Sequence, residues 1–234
     1  METVTKFPAA EYEARYERLR MLMGDGGLDA LVVTNHQNVN YYAGITSILA
    51  GLPGGYGNVR PLIVVLPRDS APVIIVQFTD YGNAVANSWI DDVRHWVDLP
   101  FTPALLEEVL RDKGLTKGRI GMEFSRELHL NIPYNDFQTL KANLPDADFT
   151  DAADIIWTLR MIKSAPEIEC IRKAAQITAK SLADNLPRIE RQGNLIRANG
   201  LYRHGFLLAP ALATMVADLI LDAKTPEIFH ETTA

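Results

Sequence analysis

Three observations predict an α/β fold: a mixed sheet flanked by helices, followed by a helical C-terminal extension. Short apolar runs at residues 28–34, 61–66 and 72–77 have the length and β-branched content of strands. They alternate with longer amphipathic stretches, the pattern of helices laid on a sheet. The runs at 61–66 and 72–77 are joined only by Pro67-Arg-Asp-Ser-Ala71, a hairpin connection that makes the sheet mixed rather than purely parallel.

The elements follow in order. Residues 9–27 form an amphipathic helix, with Tyr12, Tyr16, Leu19, Met21, Leu22 and Met23 among charged neighbours and Gly26-Gly27 as the stop. Residues 28–34 make a strand, and 35–44 a turn and short helix ending at Gly44. The stretch Gly51-Leu-Pro-Gly-Gly-Tyr-Gly57 is a loop, because four glycines and a proline in seven residues cannot hold a regular element. After the hairpin come a short helix at 80–87, a strand at 93–97, a helix at 102–113 stopped by Gly114, and a strand at 119–123. A helix at 132–143, a strand at 146–149 and a helix at 152–161 complete the set. A long helix is expected over 166–190. Ser164, Pro166 and Glu167 supply its capping box, and Ile168, Ile171, Ala175, Thr178 and Leu182 its apolar stripe.

Bulk properties exclude several classes. The chain has 234 residues and a formal net charge of −6, which argues against a general nucleic-acid or anionic-membrane surface. No apolar run approaches the ~18 residues that span a bilayer, and the N-terminus lacks the pattern of a secretory signal. The one cysteine, Cys170, allows no intrachain disulfide, so the cytoplasm is the expected compartment. On an amphipathic helix it reads as an inert thiol.

The turn Asn35-His-Gln-Asn-Val-Asn-Tyr-Tyr-Ala-Gly44 and the segment Leu159-Arg-Met-Ile-Lys-Ser-Ala-Pro-Glu-Ile-Glu-Cys-Ile-Arg-Lys-Ala-Ala175 carry a resemblance. Residues 1 to about 190 resemble the N-terminal half of the creatinase/prolidase/aminopeptidase P family, the "pita-bread" metallohydrolases. The resemblance implies a ribonuclease H-like α/β domain over 1–160 that assists dimerisation and reaches toward a neighbouring active site, with His36, Tyr42 and Tyr56 bordering substrate. It implies that residues 161–192 open a catalytic domain in which two divalent metal ions would activate water, or a histidine would move a proton in the creatinase branch. The matching metal-ligand positions do not follow, so no metal is expected on this chain and no peptidase activity as encoded. The alternative function is an Xaa-Pro dipeptidase or aminopeptidase-type metallohydrolase.

Residues 193–234 read differently. Gly200, Tyr202, Arg203, Gly205, Phe206, Leu207, Leu208, Ala209 and Pro210 are similar to the C-terminal segment of thiamine-type FAD-dependent glycine oxidases. The resemblance makes Gly200, Arg203 and Gly205 a vestigial flavin-type motif. No Gly-x-Gly-x-x-Gly turn is present to hold a pyrophosphate, so no flavin is expected, and a gene fusion near residue 192 is the expected origin. The run 210–221 is apolar nearly all round, suited to a helix buried in a larger protein. With its partners gone it would associate, so a homo-oligomer is expected through this helix or the N-terminal domain.

The remaining polar residues have plain readings. His95 alternates to the solvent side of its strand, and His129 and His230 have no acidic or thiol partner at ligand spacing. His204 belongs to the oxidase-like segment. Asp91-Asp92 is a solvated turn, Ser125 a cap or turn residue, and Asp148, Asp151 and Asp154 favour a helix start.

Overall fold

The chain up to residue 162 builds a three-layer α/β/α unit around a six-stranded sheet of order β4-β3-β2-β1-β5-β6. The structure is a computed structural model describing residues 7–46, 61–98, 101, 103–125, 128–185, 189–192, 195–197, 213–218, 220–221 and 229–231. The strands are β1 (Ala30–Val33), β2 (Ile63–Pro67), β3 (Val73–Gln77), β4 (Asp92–Trp96), β5 (Arg119–Met122) and β6 (Asp148–Asp151). Only β2 runs against its neighbours; β3 and β4, β1 and β5, and β5 and β6 pair in parallel. The β2–β3 hairpin therefore makes the sheet mixed, as its short connection predicts.

Period-two alternation divides these strands between two cores. Leu31, Val33, Val64, Leu66, Ile74 and Val76 face one side. Ala30, Val32, Ile63, Val65, Val73 and Ile75 face the other. Both faces are buried, which is why the runs read as continuous apolar stretches.

The first face is covered by α1 (Ala9–Gly26), α2 (His36–Ala43), α3 (Phe78–Asn87) and α6 (Ala153–Met161), through Leu19, Val39, Ala84 and Ile156 among others. The second is covered by α4 (Ala104–Asp112) and α5 (Tyr134–Asn143), through Leu106, Leu110 and Leu140. In α1 the buried residues Tyr12, Tyr16, Leu19 and Met23 recur at intervals of three and four, one stripe of a helix. Gly27 closes it at φ 65°, where its N–H reaches the Gly24 carbonyl and the Leu28 N–H the Met23 carbonyl.

The strand before α6 lies two residues later than the sequence suggests, at Asp148–Asp151. Asp148 consequently does not start a helix; it pairs with Arg119 at 3.3 Å across the sheet edge. Asp151 does serve the helix start: Oδ1 accepts from Ala153 N–H at 3.3 Å and Oδ2 from Ser125 Oγ at 2.6 Å. His95 is exposed on β4, as alternation predicts, and its ring lies tilted against the Tyr81 ring, 4.5 Å between centroids.

Residues 1–162 form one compact unit and 163–234 another. The second contains α7 (Ala165–Asn185), whose capping box forms: Ser164 N–H donates to Glu167 Oε2 at 2.8 Å and Glu167 N–H to Ser164 Oγ at 3.4 Å. Ile168, Ile171 and Ile177 on this helix are exposed, as is Cys170. The expected helix does not run to Glu190. Its described part ends at Asn185, and Ile189–Gln192 is strand β7, paired antiparallel with β8 (Leu195–Arg197) and parallel with β9 (Phe229–Glu231). Residues 213–218 and 220–221 are helical, with Ile220 and Leu221 exposed rather than buried. Among the described residues no helix is long and apolar enough to cross a membrane.

Candidate functional site: the crevice beyond β1 and β5

Strands β1 and β5 are parallel neighbours, yet their chains leave in opposite directions. From β1 the chain enters α2 on the first face; from β5 it passes to α5 on the second. The divergence opens a crevice beyond the carboxyl ends of the two strands, the place where open α/β sheets commonly bind ligands.

Glu123, the residue after β5, fills the base of this crevice and is 1 % exposed. Its Oε2 accepts from Thr34 N–H at 2.6 Å, Asn35 N–H at 2.7 Å and Thr34 Oγ1 at 3.1 Å. Its Oε1 accepts from the Asn38 side-chain amide. A carboxylate thus occupies the N-terminus of α2, where free N–H groups and the helix dipole favour negative charge. Asn35 completes the cap through Oδ1, which accepts from Gln37 N–H at 3.0 Å. At the other end of α2, Trp89 Nε1 donates to the Tyr42 carbonyl and Ser88 Oγ to the Ala43 carbonyl, each at 2.7 Å.

The polar network continues outward. Asn38 Oδ1 accepts from Arg160 Nη1 at 2.6 Å, tying the last turn of α6 to α2. Asn131, between β5 and α5, donates its backbone N–H to Thr34 Oγ1 at 3.1 Å and its side-chain amide to the Thr34 carbonyl at 2.9 Å. Above this base lies an open cleft of ≈ 400 Å³. Asn35, His36 and Gln37 at the start of α2 form one wall, Leu128, His129 and Asn131 a second, and Trp157 and Arg160 of α6 a third.

His36 therefore stands on the rim of a cleft. Tyr42 does not: it is 1 % exposed within the first core, stacked edge-on to Tyr41 at 5.0 Å between ring centroids. Burial, with a smaller contribution from Tyr41, pushes its phenol well above the usual tyrosine range. The helical period dictates this placement, since Val39 and Tyr42 lie on one side of α2 and face the sheet. Tyr56, Gly200, Arg203 and Gly205 lie outside the described residues. Two residues, one lining the cleft and one buried near it, escape the sequence reading. His129 has no ligand-spaced partner in sequence and gains His36 only through the fold, and Glu123 reads as the polar end of a strand.

Among the described residues no group of three or more His, Cys, Asp or Glu side chains is placed to hold a metal ion.

Comparison with known proteins now decides the ancestry. Residues 15–162 match the Creatinase/Prolidase N-terminal domain. The chain belongs to the creatinase/prolidase family. Its creatinase/prolidase relatives include ectoine hydrolase of Halomonas elongata, 28 % identical over 182 residues, covering 74 % of this chain and 43 % of the relative. Creatinase of a Bacillus species is 27 % identical over 179 residues, covering 73 % and 38 %. Among solved structures, the X-Pro aminopeptidase of Thermotoga maritima superposes with a TM-score of 0.56 at 20 % identity, covering 73 % of this chain and 42 % of that one, which shows a shared fold. The chain thus spans less than half the length of these relatives. A separate match of 38 residues is 60 % identical to a putative thiamine biosynthesis oxidoreductase, ThiO, of Rhizobium etli, covering 16 % of this chain and 12 % of that protein.

Proposed function

We propose that residues 1–162 serve as the non-catalytic domain of a creatinase/prolidase-type hydrolase, supporting self-association and bordering a neighbouring reaction centre. One observation carries this reading: the match to the family's N-terminal domain ends at residue 162, where the compact α/β unit also ends. His36 on the cleft rim and Tyr56 in the glycine-rich loop are the bordering residues; Tyr42, buried in the core, is a structural one. In this reading hydrolysis is carried out by residues outside 1–162. The working compartment is the cytoplasm, and the partner is a second copy of the chain.

The short oxidoreductase match favours a second proposal, limited to the tail: residues beyond about 192 descend from a flavoenzyme segment joined to the family domain. The test is an assay of the purified chain on an Xaa-Pro dipeptide with manganese or cobalt, together with its absorbance spectrum and its mass by light scattering. A colourless dimer without hydrolysis is expected. Metal-dependent hydrolysis would instead make this chain a peptidase in its own right, and flavin absorbance would make the tail a working part.

A further inference from the structure

Helix α3 turns one face to the sheet and an apolar face outward. Asp80 and Ala84 are buried, and the residues half a turn round from them, Phe78, Gly82, Val85 and Ala86, are exposed, with Tyr81 on their flank. Phe78 and Val85 are each 56 % exposed. Asp80 is the one charged residue among the ten of α3 and belongs to the buried side, so the helix presents an uncharged outer face. A helix lying on a sheet ordinarily carries charged and polar residues there, and an apolar face in that position marks an interaction surface.

The face also has a self-complementary shape. Gly82 lies at its centre, and a Cβ there would meet nothing within 4 Å, so the backbone is bare and open. Phe78, one turn earlier, is a knob beside it. His95 of β4 braces that knob, its ring 5.5 Å from the Phe78 ring and 4.5 Å from the Tyr81 ring between centroids. Consider a second α3 laid antiparallel, with the two Gly82 backbones at the crossing. Phe78 of each copy then falls over Val85 and Ala86 of the other, about 6 Å to either side of the crossing. Large side chains meet smaller ones, and bare backbone meets bare backbone at the centre. Uncharged faces meet without like-charge repulsion, and one patch serves both copies, as a twofold interface requires. Building on the self-association proposed above, we propose that α3 is the surface through which two copies of this chain meet, crossing at Gly82.

Sedimentation velocity of the full chain between about 1 and 200 µM tests this. The parent chain is expected to be dimeric. Gly82→Glu puts a charge at the centre, facing its twin, and should raise the dissociation constant by about tenfold or more. Glutamate is the better helix former, and an unchanged far-UV spectrum would show that the variant folds. Met21→Glu, at an exposed position of α1, should leave association unchanged. In a Cys170→Ser background, copper phenanthroline and air should trap Gly82→Cys as a disulfide-linked dimer and should not trap Met21→Cys. A Gly82→Glu chain that stays dimeric, equal weakening by Met21→Glu, or equal trapping at Met21 overturns this interface and leaves self-association to another surface. A parent chain that stays monomeric throughout overturns the self-association itself.

Discussion

Glu123 is the residue on which the crevice depends. Its carboxylate receives two backbone N–H groups, a hydroxyl and an amide, all buried with it. Glu123→Ala strands those donors without an acceptor and should cost about 3–5 kcal/mol; Glu123→Gln keeps the shape but loses the charge and should cost about 1–3 kcal/mol. Urea denaturation midpoints of the two variants measure the difference. Tyr42 makes the opposite case, because its buried hydroxyl has no hydrogen-bond partner among the described residues. Tyr42→Phe should therefore change stability by less than about 1 kcal/mol at neutral pH. At alkaline pH the two proteins should part. Burial raises the phenols of Tyr42 and Tyr16, so both stay protonated in the folded state after their unfolded counterparts ionise. Stability is unaffected below the ordinary tyrosine value of about 10 and falls as pH rises beyond it. Between about pH 9.5 and 11, Tyr42→Phe should lose less stability than the parent, as read from thermal midpoints. Neither residue declares its role in sequence. A glutamate closing a strand looks like surface, and a tyrosine near a family turn looks like substrate contact until the helix phase places it inside.

At the scale of elements, the path of β5 past α6 depends on a missing side chain. A Cβ on Gly121 would lie 2.7 Å from Ala152 Cβ and 2.8 Å from Leu28 Cδ1, so only glycine lets β5, the residue after β6 and the segment leading into β1 close together. Gly121→Ala should cost about 1–3 kcal/mol and lower the thermal midpoint of the α/β unit. Gly44 is constrained twice, by φ 74° at the end of α2 and by the Tyr12 ring 2.8 Å from its absent Cβ. Element types were mostly legible, because apolar runs, capping residues and glycine stops are local signals. Boundaries were less so. The β6 strand shifted by two residues, and Glu190, expected at the end of α7, lies in β7, where a local pattern of helical spacing gave way to pairing between β7, β8 and β9.

At the scale of the whole molecule, the chain has two compact units, the first matching a family domain along nearly its full length. The exposed isoleucines of α7 and the exposed Ile220 and Leu221 leave apolar surface in the second unit without a described partner, which supports association with another copy as part of the proposed function. The sequence by itself determined the α/β class, the mixed sheet, the capping box at Ser164 and the family resemblance, because each is written in residues adjacent along the chain. Tertiary structure alone decided the cleft. Thr34 and Glu123 are 89 positions apart, and Asn38 and Arg160 are 122 apart. The first pair meets because β1 and β5 pair in parallel, the second because α2 and α6 pack on the same face of the sheet, long-range arrangements that no local pattern encodes.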